Sequence, residues 1–346
     1  MKRLRDYGIT IGRLPTGALN KITDVQGVLV GHKTVDQDDN HTGITVIIPG
    51  PGNCFSEKFI ASGYIHNGFG KTCGLPQIQE LGTLETPIAL TNTLNVGLVA
   101  DGLVEYTIRQ CKQDNVAVTS INPVVGECND SRINNIQKRV LGFQDLTQAI
   151  NNTGADFAEG AIGAGTGTVC YGLKGGIGSA SRLIDIEGKV YTVGVLVQSN
   201  FGATEDFVLE GRKIGKEILA SKAKMDRLAV AEQDQGSIMT VIATDVPVSS
   251  RQLYRIIRRA GVGIARTGGY SGHGSGEIML GFSTANRQSK DSKAVNCLNY
   301  LREDLLNSIF LAVAESTQEA ILNSLVTTED CWGIKGEHYY ALRDFL

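Results

Sequence analysis

The chain has 346 residues, 42% apolar and 20% charged, with a formal net charge of −3. That balance suits a folded α/β chain with a sizeable core and excludes a disordered or collagen-like one. Lysine and arginine are scattered, so no basic face invites nucleic acid or an anionic membrane, and no apolar run is long enough to span a bilayer.

Residues 1–15 carry basic side chains but lack the apolar stretch of a secretory signal. Val28–His32 and Thr42–Ile48 read as strands, short, β-branched and closed by glycine and proline. Pro87–Leu90 and Val96–Val99 read likewise, although the stretch after Val99 also fits a helix. Asn115–Ile121 alternates apolar and polar positions and predicts a strand. Gln137–Ile150 predicts a helix and Lys189–Val197 a strand. Thr204–Leu219 fits either an amphipathic helix or a hairpin turning at Gly211. Ser221–Gln235 is polar without a period and predicts an exposed connection. Ser237–Ala243 predicts a strand. Ser250–Ala265 predicts a helix with Leu253, Ile256, Ile257 and Ala260 on its apolar face. A glycine-rich loop, Gly268–Gly276, leads into a predicted strand at Glu277–Ser283. Leu301–Ala314 predicts a helix, and Ser316 with Glu319 makes a capping-box signature for a last helix through Leu325. Strands and helices interleave without a Pro-rich boundary, which predicts one α/β domain over residues 1–346.

Glycine is the compositional outlier, 42 residues against 7 prolines, spread through apolar segments. Such glycines serve tight turns and close backbone approaches. The seven cysteines are scattered without a CxxC pair, as expected of reduced thiols in a cytoplasmic protein. His66–Thr72 (HNGFGKT) ends like a phosphate-binding P-loop, but the first glycine of that motif is replaced by Ile65. Gly160–Gly167 (GAIGAGTG) does not have the dinucleotide spacing. The five histidines form no HxH or HxxxH pair, so no metal site is expected, and no GxSxG elbow supports a triad at His273.

The junction Gly236–Ser237 stands out by context. A polar stretch ends at Gly236, and Ser237 opens an apolar strand. Glycine lets the backbone take up a strained conformation, from which the serine hydroxyl reaches the preceding carbonyl. An N→O acyl shift and hydrolysis would then free Ser237 as a new N-terminus. Its α-amine, with a pKa of about 8, would serve as a base at neutral pH. The second constellation, His273-Gly274-Ser275-Gly276-Glu277, lies at a loop-to-strand junction, where Ser275 and Glu277 can share one side of the strand.

These motifs occur in a definite order: Gly12–His32, Thr42–Gly50, Leu90–Gly97, Val124–Asp130, Glu159–Arg182, Val193–Gly202, Gly236–Asp245 and His273–Glu277. In that order the chain resembles the self-processing serine hydrolases of the L-aminopeptidase/D-esterase (DmpA-type) and β-aminopeptidase family. The resemblance implies a four-layer αββα sandwich, like the N-terminal-nucleophile hydrolases in layering but not in connectivity. It implies self-cleavage into an α chain, 1–236, and a β chain, 237–346, with no metal or organic cofactor. By the same resemblance Ser237 is the nucleophile, Ser275 and Glu277 orient and activate it, and Asn200 donates to the oxyanion. Glu127 receives the free ammonium group of a small peptide, amino-acid amide or ester, and Asn129 is a further pocket candidate. A homo-oligomer of cleaved pairs is also implied. Lys71 and Ala161 stand where the family often has Glu and Asn, and so bear on the substrate pocket. Two other readings stay open: an autoprocessed acyltransferase resembling the ornithine acetyltransferases, and a non-enzymatic ligand-binding protein with Gly160–Gly178 as its loop.

Overall fold

The computed structural model describes residues 1–225, 236–289 and 294–346. Its first half contains β1 (Leu29–Gln37), β2 (Asn40–Ile48), β3 (Glu57–Gly68), α1 (Leu75–Leu81), β4 (Thr83–Leu84), β5 (Ile88–Asn92), α2 (Val96–Gln113), β6 (Val124–Cys128) and α3 (Phe143–Asn151). A small hairpin of β7 (Val169–Cys170) and β8 (Leu173–Lys174) precedes β9 (Ile177–Ile186), β10 (Lys189–Asn200) and α4 (Gly215–Met225). Then follow β11 (Ser237–Thr244), α5 (Ser250–Ile257), α6 (Ala260–Arg266), β12 (Gly276–Ser289) and α7 (Leu306–Val326).

Two sheets form, of order β1-β2-β5-β6 and β4-β3-β12-β11-β10-β9. Ile47, Ile88, Leu90 and Val124 of the first pack against Leu196, Met239, Val241, Leu280 and Phe282 of the second, so the sheets stack face to face. The outer face of the first sheet (Ile44, Val46, Ala89, Val125) is covered by Val99 and Leu103 of α2 and Leu146 and Ala149 of α3. The outer face of the second (Val193, Val195, Val197, Ile238, Ile242) is covered by α5, α6 and α7. Helices, sheet, sheet, helices: this is the αββα layering expected from the resemblance. Strands buried on both faces read as continuous apolar runs, which is why β11 and the part of β10 through Val197 were legible.

Several local expectations are overturned. Val96–Val99 is the first turn of α2, because the Asn92 side chain accepts from the Leu94 and Asn95 N–H groups and starts a helix there. Asn115–Ile121 alternates but joins no sheet among the described residues; it is a largely exposed connection. The helix expected over Gln137–Ile150 is a 3₁₀ turn (Ile136–Lys138) and then α3, parted at Gly142. Thr204–Leu219 holds both alternatives in series, a tight turn closed between Leu209 and Arg212 and then α4. Ser221–Met225 belongs to α4, and residues 226–235 of the expected connection lie outside the described residues. The helix of Ser250–Ala265 breaks at Arg258–Arg259. Its second half is turned so that Gly263 lies on α7, where a Cβ would stand 2.6 Å from Thr317 Cβ.

The capping box at Ser316 is also overturned. Both residues are fully buried inside α7. Glu319 is held by Arg182 Nη2 at 2.7 Å and Arg5 Nε at 2.7 Å, and Glu315 by Arg182 Nε at 3.1 Å. A serine followed three residues on by glutamate spells a cap only at a helix start. Here the carboxylates face the buried guanidinium of β9 instead.

Candidate active site

The candidate residues meet where β10 ends and β11 and β12 begin. Antiparallel pairing of β10 with β11 sets Asn200 opposite Ser237, and parallel pairing of β11 with β12 sets Ser237 opposite Gly276. On the far side of β12, Glu277 pairs with Asn67 of β3. Residues far apart in sequence thus form one row across the second sheet. Ser237 is 7% exposed, Asn200 6%, Glu277 1% and Ser275 not at all, so the row is nearly dry and its polar groups need partners.

Those partners fix the side chains. The Ser275 hydroxyl donates to Glu277 Oε1, as expected for two groups on one side of a strand. Asn67 Nδ2 donates to the Gly272 and Ser275 carbonyls at 2.7 and 2.6 Å and pins the glycine-rich loop. Asn200 Oδ1 accepts from the Val169 N–H at 2.9 Å, which turns its NH₂ group the other way, and Asn200 lines the cavity. Among the described residues no hydrogen bond joins Ser237 Oγ to Ser275 or Glu277, and the relay is not closed.

Gly236 stands against the end of β10. Glycine is required there for closeness: a Cβ would stand 1.9 Å from the Asn200 carbonyl oxygen. The Gly236 carbonyl itself accepts from the Gly276 N–H at 2.9 Å. A Cβ at Gly276 would stand 2.6 Å from the Phe69 carbonyl and 3.2 Å from Ser237 Oγ, so the third strand also approaches without a side chain.

A cavity of about 500 Å³ opens over this row, lined by Phe69, Lys71, Thr93, Glu127, Asn129, Ser131, Arg132, Asn200, Gly236, Ser237, His273 and Gly274. Glu127, at the end of β6, is 3% exposed. Its Oε1 accepts from the Lys71 N–H at 2.9 Å and its Oε2 from the Thr93 hydroxyl. The carboxylate is held rigid by the first sheet while facing a cavity whose other wall is the second. Asn129 Oδ1 accepts from the Ser131 N–H at 3.0 Å and turns the chain along the rim. The loop behind is tied by Thr42, which receives Asn92 Nδ2 at 2.8 Å and donates to buried Asp130 at 2.6 Å. Burial pushes the Asp130 pKa up to about 6 against those donors. Ala161 is exposed and does not line the cavity; of the two departures from the family pattern only Lys71 does.

Some residues of this site carried no sequence signal. Lys174 is fully buried and donates through Nζ to the Gly165, Thr168 and Gly175 carbonyls at 3.1, 3.1 and 2.6 Å. Three carbonyls match the three protons of an ammonium group. Burial lowers its pKa to about 8. It thereby ties together the glycine turns that present Val169 to Asn200. Cys128 packs beneath Ser237, its thiol 3.4 Å from the Ser237 and Gln198 carbonyls. Burial pushes that thiol well above the usual range and keeps it out of the cavity, so Cys128 is not a rival nucleophile. The segment that failed as a P-loop is a cavity wall through Phe69 and Lys71.

With this geometry in view, the profile of peptidase family S58 matches residues 20–339. The chain belongs to peptidase family S58. It is 36% identical to the β-peptidyl aminopeptidase BapA of Sphingosinicella xenopeptidilytica, over 98% of this chain and 88% of the relative. Among solved structures it is similar to the PH0078 protein of Pyrococcus horikoshii OT3, with a TM-score of 0.92 and 43% identity over 99% of this chain and 96% of that one. It is also similar to the L-aminopeptidase D-Ala-esterase/amidase of Ochrobactrum anthropi, at 0.90 and 29% over 100% and 99%. That enzyme is described as a prototype for the serine aminopeptidases and a new variant among the Ntn hydrolase fold. As a family S58 peptidase the chain is a serine aminopeptidase, a hydrolase of peptide and amide bonds.

Proposed function

We propose that this S58 peptidase cuts its own Gly236–Ser237 bond, dividing one αββα domain into chains 1–236 and 237–346, and then uses Ser237 on small substrates with a free amine. The observation that carries this reading is the register that sets Asn200, Ser237 and Gly276 side by side at the cavity floor.

In the first stage Ser237 Oγ attacks the Gly236 carbonyl carbon, the Gly236–Ser237 C–N bond breaks as its nitrogen takes up the hydroxyl proton, and water hydrolyses the resulting ester to a Gly236 carboxylate and a free Ser237 hydroxyl. The Gly276 N–H on the Gly236 carbonyl oxygen, 2.9 Å away, is suited to polarising it. In the second stage the freed α-amine, with a pKa of about 8, is available as a base at neutral pH. Glu277 holds Ser275 by its hydroxyl proton, which leaves the Ser275 oxygen as an acceptor toward Ser237. The Asn200 NH₂ donates to the oxyanion that forms on the substrate carbonyl. Glu127 receives the substrate ammonium, and Asn129 shapes the rim near it. Together these select an N-terminal residue of a small peptide, amino-acid amide or ester. We extend the proposal to a cytoplasmic homo-oligomer of cleaved pairs, which native mass spectrometry measures directly.

The first test is a denaturing gel of purified protein. Two fragments are expected, and Edman sequencing of the smaller should begin Ser-Ile-Met-Thr. A single intact chain with full peptidase activity defeats the mechanism. The acyltransferase reading is tested in the same assay by adding an amine acceptor; transfer outrunning hydrolysis would favour it. A second prediction concerns the anchor. Glu127→Gln should lower kcat/KM by roughly a hundredfold, mostly through KM, because an ammonium would be buried beside an uncharged partner at a cost of about 3 kcal/mol. An unchanged KM for amine-bearing substrates removes Glu127 from that role.

A further inference from the structure

The cavity lining holds two basic side chains, Lys71 and Arg132, and this scheme gives neither a role. Lys71 lines the cavity beside Phe69, with its ammonium 4.6 Å from the centre of the Phe69 ring. Among the described residues its recorded contacts are the Phe69 ring and, through its backbone N–H, Glu127. The single carboxylate in the lining, Glu127, is bound by the backbone N–H of Lys71 at 2.9 Å, not by its side chain. A lysine held by an aromatic face loses less freedom when it meets an anion, and in a half-enclosed cavity the pair is less screened than at an open surface.

The placement is directional. Lys71 hangs from the same carboxylate that would take the substrate amine. Its side chain therefore starts on the side of the cavity that holds the amine-bearing residue, and the leaving group extends away from that anchor. A substrate group that meets Lys71 belongs to the acyl residue, and the chemistry that matches an ammonium is a carboxylate.

We propose that Lys71 reads a carboxylate carried by the amine-bearing residue of the substrate. An α-linked aspartyl or glutamyl residue meets this requirement through its side chain. A β-linked aspartyl residue meets it through its free α-carboxylate, which sits on the same carbon as the amine. The inference rests on the aminopeptidase reading with Glu127 as anchor.

The experiment compares matched anilides in which only the charge differs: aspartyl against asparaginyl, and β-linked aspartyl against β-linked asparaginyl with its α-carboxamide. A third pair, a neutral dipeptide with a free C-terminus against its amide, reports a carboxylate on the leaving side. Wild type, Lys71→Met and Lys71→Glu are assayed in cleaved form. The quantity read is the ratio of kcat/KM for acidic over neutral substrate, which cancels differences in folding or processing between variants. Wild type should favour the acidic partner in at least one pair by about three- to tenfold, the range of a partly screened ion pair. Lys71→Met should bring that ratio to about one, and Lys71→Glu below it through repulsion. The pair that responds identifies which linkage supplies the carboxylate. A ratio unchanged across the three proteins, or a response confined to the dipeptide pair, overturns the inference while leaving the aminopeptidase reading in place. No turnover of any amine-bearing substrate by cleaved wild type removes that reading and the inference with it.

Discussion

Replacing Ser237 with alanine is expected to give one uncleaved chain of 37.0 kDa and to abolish measurable turnover. The two losses have one cause. The hydroxyl that attacks the Gly236 carbonyl is the hydroxyl that later attacks substrate, and alanine supplies neither oxygen. Loss of a serine nucleophile from a working constellation costs on the order of 10⁶ in kcat. Folding should survive. Ser237 is paired on both sides by main-chain bonds, and its side chain contributes no hydrogen bond to the described core. Circular dichroism and thermal melting therefore serve as the control. Ser237→Cys restores a nucleophile in nearly the same place and should recover some cleavage. A folded Ser237→Ala protein that still divides at 236–237 would falsify the assignment.

Changing Glu277 to glutamine is expected to leave the fold intact and lower kcat by about 10³–10⁴, the scale seen when a carboxylate that orients a catalytic partner becomes an amide. Glu277 is 1% exposed and accepts the Ser275 proton. An amide of the same shape keeps the packing but removes the charge, and it can turn an N–H toward Ser275 in place of an oxygen. The Ser275 hydroxyl would then rotate and offer its proton where an acceptor is needed. Autocleavage should slow together with turnover, since both pass through Ser237. Retained melting temperature with a slow enzyme supports the relay. Near-normal rates in a cleaved Glu277→Gln protein remove Glu277 from it, and a lowered melting temperature with unchanged kcat assigns it to packing alone.

The two sheets differ in how much of them was legible. In the second sheet, the largely apolar runs Tyr191–Val197 of β10 and Ile238–Ala243 of β11 announce themselves. β9 does not, because Gly178 and its small neighbours leave room for α7: a Cβ at Gly178 would stand 2.0 Å from the Ala320 carbonyl. Small residues chosen for close approach carry no strand pattern. Asn115–Ile121 has the pattern but joins no sheet among the described residues, since alternation states which side chains face alike and not whether a ladder forms. Ser316 and Glu319 spell a cap that a longer helix overrides, because burial against Arg182 outweighs a local hydrogen bond.

The candidate site shows the same division. Ser275 and Glu277 were legible because two residues apart on a strand is a local relation, and the Gly236–Ser237 junction because an apolar strand begins there. Local periodicity and short spacing are written in the chain itself. The reason for glycine at 236 was not, since it lies in the Asn200 carbonyl, 36 positions away in sequence and across a β-ladder. Nor was the aim of Asn200, set by Val169 and behind it by the buried ammonium of Lys174, nor the meeting of Glu127 on β6 with Lys71 of the loop after β3 at one cavity. Contacts between distant segments depend on how two sheets stack and in what register their strands pair, and only the folded chain fixes those.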